Sequence, residues 1–230
     1  MSVTRTSTLA RAGSGTREQF ISRTYNTLLG AIVLFVLIET GLFRSGLAES
    51  ITRSLMGVSW LVVLGGFILV SWFASRAAHQ ARSRSTQYLA LVAFVAAESI
   101  IFVPLLYLAE SVAPGTIEKA AWYTLAGFAA LTFIAFNTRK NFSFLAGALR
   151  WGGLLAMAAI IISVLGGMAL GGWFSLLMIG YAGAAILFDT SNVIHEFEED
   201  QHVGAALQLF ASVALMFWYV VRFIGFAGDD

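Results

Sequence analysis

The chain has 230 residues, of which 58% are hydrophobic and 12% charged, and its formal net charge is +1. Soluble domains carry about 25% charged residues, so this composition places nearly the whole length in a membrane. The near-zero charge gives no global basic field for nucleic acid, and the absence of cysteine excludes disulfides and thiolate metal sites.

Residues 1–26 are polar and contain arginine, and they lack an apolar stretch followed by a small-residue cleavage site. They read as a cytoplasmic N-terminal tail rather than a signal peptide. A spanning helix needs roughly 20 mostly apolar residues. Residues 27–230 hold seven such stretches: Thr27–Phe43, Leu55–Ala74, Tyr88–Leu108, Ala121–Asn137, Leu149–Leu170, Trp173–Val193 and Val203–Phe226. The loops between them are short. The predicted fold is therefore an all-α integral membrane protein, a seven-transmembrane helix bundle in one domain. The seventh stretch carries Gln208, Ser212 and Tyr219, whose spacings of 4 and 7 share one helical face. That polar stripe predicts that the last helix lies inside the bundle, although a re-entrant path for it stays open. Gly-Gly pairs at 65–66, 152–153, 166–167 and 171–172 read as packing or turn positions.

Lysine and arginine in short loops set orientation. Ten basic residues fall on the side of the N-terminus: Arg5, Arg11, Arg17, Arg23, Arg76, Arg82, Arg84, Arg139, Lys140 and Arg150. Four fall on the other: Arg44, Arg53, Lys119 and Arg222. The bias predicts a cytoplasmic N-terminus. The acidic loop 195–202 on that side does not reverse it, because acidic residues contribute little to topology.

Three carboxylates lie within or at the edge of spans, where an ionisable group is a functional candidate by default. Asp189 ends the sixth stretch, with Ala182 and Ala185 on its own face to let another helix approach. It reads either as a protonatable gate or cation ligand, or as a helix-end group solvated or paired with Arg139 or Lys140. Glu98 is the deepest, six residues before Pro104, and reads either as part of an ion path or as a buried, hydrogen-bonded group. Glu39, close to Arg44, reads as a solvated anchor at the far interface. The seventh-helix polar residues offer neutral hydrogen-bonding partners, for helices or for a pore lining. No metal site is expected in loop 195–202, where Glu199 stands in place of the second histidine of an HExxH pattern. No cofactor is indicated, and neither a phosphate-binding glycine loop nor a nucleophile arrangement is evident, so no enzyme activity is expected.

Several segments, in order, resemble the Bax inhibitor-1 family. They are Arg17-Glu18-Gln19-Phe20-Ile21-Ser22-Arg23-Thr24-Tyr25, Glu98-Ser99-Ile100-Ile101-Phe102-Val103-Pro104, Thr138-Arg139-Lys140-Asn141-Phe142-Ser143-Phe144-Leu145 and Phe188-Asp189-Thr190-Ser191. Ser99 stands where the family has Gly, and Asn141 where it has Asp. The resemblance implies that Asp189 is half of a pair whose second aspartate, in calcium-leak members, lies on the seventh span. Here that position is Ser212. Two carboxylates can titrate as a coupled latch, whereas a carboxylate and a serine cannot do so in the same way. The stretches Ile186-Leu187-Phe188 and Phe223-Ile224-Gly225-Phe226-Ala227 resemble the YccA-like bacterial branch, which implies an inner-membrane protein modulating an FtsH-type membrane protease. A pH-sensitive calcium or proton leak through Asp189 and Glu98, and a chaperone-like structural role, are the other expectations.

Overall fold

The computed structural model describes residues 3–226 except 82 and 139, with side chains from residue 16 onward. Among the described residues eight helices follow one another: α1 (Val3–Arg44), α2 (Leu47–Met56), α3 (Trp60–Gln80), α4 (Arg84–Val112), α5 (Thr116–Thr138), α6 (Leu145–Gly166), α7 (Gly172–His195) and α8 (His202–Phe226). All but α2 are long and apolar enough to cross a membrane. The protein is an all-helical membrane bundle.

Two predicted span starts differ from those observed. The sequence places the first at Thr27, yet α1 runs on through that point with Phe20 and Thr24 buried, and the apolar span it offers begins at Thr16. Arg17 and Arg23 end the apolar run, but a helix continues past charges while one of its faces is covered. The second predicted span began at Leu55, yet Leu55 and Met56 belong to α2, and α3 begins at Trp60. α2 is amphipathic. Ala48 and Thr52 are buried, while Glu49 and Arg53 pair on the exposed face. Spacings of four place each pair on one side of the helix.

α8 is the central helix. It touches α1, α3, α4, α5 and α7, and its contact with α7 is the most extensive in the molecule. Sixteen of its 25 residues are buried, against none in α6. Its first turns are nearly all small or branched apolar residues from Val203 to Ala206, which lets neighbouring backbones approach where lipid supplies no hydrophobic drive. At 1.5 Å per residue α8 is about 37 Å long, more than the roughly 30 Å hydrocarbon core. It is therefore long enough to cross fully, and it runs without the internal break that a re-entrant path needs. Phe102 of α4 lies edge-on to Trp218 at 5.0 Å and to Phe35 of α1 at 5.1 Å, which ties three helices together around α8.

α6 is the outlier. It leans on α7 and on the edge of α3, and it does not reach α8. Its hold on α7 is a Tyr181 ring laid over Gly152 and Gly153. A Cβ at Gly152 would come within 3.0 Å of that ring, and one at Gly153 within 2.8 Å of its hydroxyl. The hydroxyl donates to the Leu149 carbonyl at 2.9 Å. This glycine pair is thus the seat of the α6–α7 contact.

Candidate functional site

Asp189 is 3% exposed and faces α8. Gln208 donates its amide to one carboxylate oxygen at 2.6 Å, and Ser212 donates its hydroxyl to the other at 2.5 Å. Gln208 and Ser212 are one turn apart on α8, so a single face of that helix supplies both donors. The small-residue face of α7 permits the approach: Ala182 and Gly183 are buried, while Ala185 is only partly covered. Lys140 is exposed and forms no ion pair among the described residues, so the expected pairing with it gives way to this neutral cage; the other expected partner, Arg139, lies outside the described residues. A carboxylate with two good donors pins α7 to α8. Each such charge-assisted bond contributes about 1.5–3 kcal/mol.

Between α6 and α8, where those helices fail to meet, lies a cleft of about 750 Å³. Glu98 of α4 lines it, together with Gln208 and Tyr219 of α8, Tyr181 of α7 and Arg222. The rest of the wall is largely apolar and aromatic. The face of Gln208 away from the cleft holds Asp189, so the amide stands between the caged carboxylate and the cavity. Ser212 is on the far side and does not line the cleft. Arg222 donates to the Leu170 carbonyl in the α6–α7 loop, closing one end. Glu98 is 8% exposed and has no hydrogen-bonding partner among the described residues. Pro104 leaves α4 continuous.

Glu39 departs from its expected place. It is 7% exposed rather than solvated, and neither carboxylate oxygen has a partner. Arg44 lies five residues on, so the two project from different faces of α1.

The motif residues at the α7 C-terminal end hold that end together. The last carbonyls of a helix lack intrahelical partners. Here Arg17 donates to three of the carbonyls at and just beyond this end: Val193 at 2.9 Å, Ile194 at 3.1 Å, and Phe197. A cation at a helix C-terminus also complements the dipole. Phe20 lies beneath the guanidinium, 4.9 Å from it. In the loop before α6, the Phe142 amide donates to Ser191 at 2.9 Å, and the Asn141 amide donates to Glu196 at 3.1 Å. An aspartate at 141 would face Glu196 with like charge, which accounts for the amide in this chain. At the start of α8, Arg84 donates to Nδ1 of His202 at 2.7 Å, and Tyr88 lies 3.1 Å from Nε2. Arginine only donates, so the ring carries its proton on Nε2 and gives it to Tyr88. The His79 ring packs against Gly204, where a Cβ would meet it at 2.7 Å. Sequence reasoning did not find this role for Arg84, Tyr88, His79 or Gly204. Their partners lie far along the chain, and no local spacing announces them. Residues of loop 195–202 form no group of three metal-ligating side chains among the described residues.

The sequence profile described as "Inhibitor of apoptosis-promoting Bax1" matches residues 17–229, beginning at the arginine that caps α7. The chain is 36% identical over 97 residues to "Modulator of FtsH protease YccA" of Escherichia coli, covering 41% of this chain and 43% of that protein. It is 29% identical over 117 residues to "Uncharacterized protein PA2604" of Pseudomonas aeruginosa, covering 50% of this chain and 51% of that protein. The chain spans about half the length of the curated relatives it matches.

Proposed function

The chain belongs to the Bax inhibitor-1 family, and we propose that it acts through protein contacts in a bacterial inner membrane, as a modulator of a membrane-anchored FtsH-type protease. The observation that carries this reading is the similarity to YccA, whose name states that activity. The N-terminus is cytoplasmic in this reading, on the strength of the ten-to-four bias of basic residues. The contact surface is the end of the bundle around the α7 C-terminus. Glu198, Glu199 and Asp200 are exposed there, as are Arg23 and Lys140. Arg17 is engaged within the fold and serves to hold that surface in shape. No catalytic role is assigned to any residue. The test is affinity capture of the full chain from its native membrane in mild detergent. Recovery of protease subunits is expected, and their loss on reversing the charges of Glu198, Glu199 and Asp200 would locate the contact. Capture without any protease subunit sinks the proposal.

A second reading, a cation leak gated by Asp189, draws on one observation: Gln208 bridges Asp189 and the cleft that Glu98 lines. Serine at 212 weighs against a carboxylate latch of the coupled kind. Calcium flux into liposomes containing the protein should fall in Asp189→Asn if the gate exists. Equal flux in the two proteins, or none in either, removes this reading.

A further inference from the structure

We propose that the cleft between α6 and α8 is a binding site for a lipophilic organic cation, with Glu98 as the counter-charge. Three observations converge. The first is size: about 750 Å³ lies within the range of roughly 300–1,000 Å³ typical of small-molecule sites. The second is the unpartnered carboxylate. Glu98 is more than nine-tenths buried, lines the cavity, and receives no hydrogen bond from the described residues. Buried polar groups are almost always satisfied, so a ligand-facing one without a partner marks a place where something is expected to arrive. The third is the wall. Trp60, Phe67, Phe94, Phe102 and Trp218 line the same cleft as the carboxylate, and aromatic rings attract cations as well as apolar bodies. Trp60 and Trp218 stack with centroids 5.8 Å apart and form one aromatic panel.

Charge selects among occupants. A neutral lipid chain would satisfy the apolar wall but leave Glu98 unmatched. An inorganic cation would satisfy Glu98 but not the wall, and no second carboxylate lines the cleft to complete its coordination. A monocation with a bulky apolar body satisfies both. The Arg222 guanidinium does not cancel the site. The pairing of Phe94 with Phe210, and of Phe102 with Trp218, places Glu98 level with about residue 214 of α8. Arg222 is then about 12 Å further along the helix, and it is tied to Leu170. Entry is by way of α6, the one spanning helix with no buried residue.

The site stands independently of any protease contact, and its test is a binding measurement on the purified full chain. Tritiated tetraphenylphosphonium carries a fixed charge in an aromatic shell and donates no hydrogen bond. Triphenylphosphine oxide has a similar body and no charge. The full chain in detergent should bind tetraphenylphosphonium saturably, and at least about tenfold more tightly than it binds the oxide in competition. Glu98→Gln should lower the cation's affinity about tenfold or more and leave that of the oxide unchanged. Ala156→Trp, which fills the cleft from α6, should remove both. Equal affinity for the two compounds overturns the proposal, as does a Glu98→Gln protein that binds the cation as the wild type does. If Glu98→Gln does not fold, the comparison of the two compounds on the wild type decides the matter alone.

Discussion

Replacing Ser212 by alanine tests the cage around Asp189. The change removes one of two donors without adding volume. A hydrogen bond to a charged acceptor contributes about 1.5–3 kcal/mol and a neutral one about 0.5–1.5 kcal/mol. With Asp189 only 3% exposed, bulk water does not replace the lost hydroxyl. Ser212→Ala should therefore lower stability by about 2 kcal/mol when Asp189 is present. In an Asp189→Asn background the same change removes a neutral bond and should cost about 1 kcal/mol. The difference is a coupling of about 1 kcal/mol, large enough for a double-mutant cycle to resolve. Equilibrium unfolding in mixed micelles, followed by tryptophan fluorescence during titration with dodecyl sulfate, supplies the four stabilities. Equal costs in the two backgrounds would refute the reasoning, because Asp189 would then not be accepting Ser212's bond as an ionised group.

Three further changes probe the frame around this site. Arg17→Gln should destabilise by about 2–3 kcal/mol, from lost charge-assisted bonds at a helix end; hydrogen exchange should quicken selectively over residues 193–197, and uniform exchange would contradict the capping role. Gly204→Ala should cost about 1–3 kcal/mol by overpacking against His79, and His79→Ala should relieve most of that cost in thermal denaturation; an undiminished cost in the double variant would count against the contact. Tyr181→Phe keeps the ring over Gly152 and Gly153 but drops the bond to Leu149, so stability should fall by about 1 kcal/mol; cysteine pairs placed across the cleft should crosslink faster, and an unchanged rate would mean that this bond does not hold α6.

The seven spans were legible because continuous apolar runs of the right length leave little else for a chain to do. The interior place of α8 was legible from Gln208, Ser212 and Tyr219 on one face. α2 was not, because ten residues containing Glu49 and Arg53 give no span-like signal, and its apolar end merged with the next run. Asp189 stood out as an intramembrane charge. Its true partners did not, since choosing Gln208 and Ser212 over Lys140 depends on how α7 and α8 are rotated against each other. Glu39 was misplaced for the same reason: its nearness to Arg44 in sequence said nothing of the helices that cover it. The cleft was invisible from any segment, because it exists only where α6 fails to reach α8. Arg17 could be recognised as a motif letter but not as a cap, its nearest carbonyl partner being 176 residues away.

The central position of α8 has a consequence for how the molecule is made. The helix that all but α2 and α6 lean on is made after the six other spans, so those spans are synthesised before the centre they pack around. At roughly 5–20 residues per second, the 31 residues from Glu196 to Phe226 take about 2–6 seconds to synthesise. Asp189 is therefore made before either of its donors, which follow it 19 and 23 residues later in the chain. A nascent chain stalled there carries an uncaged acid beside an unfilled bundle. Arrival of α8 brings both donors to Asp189 and fills the centre of the bundle.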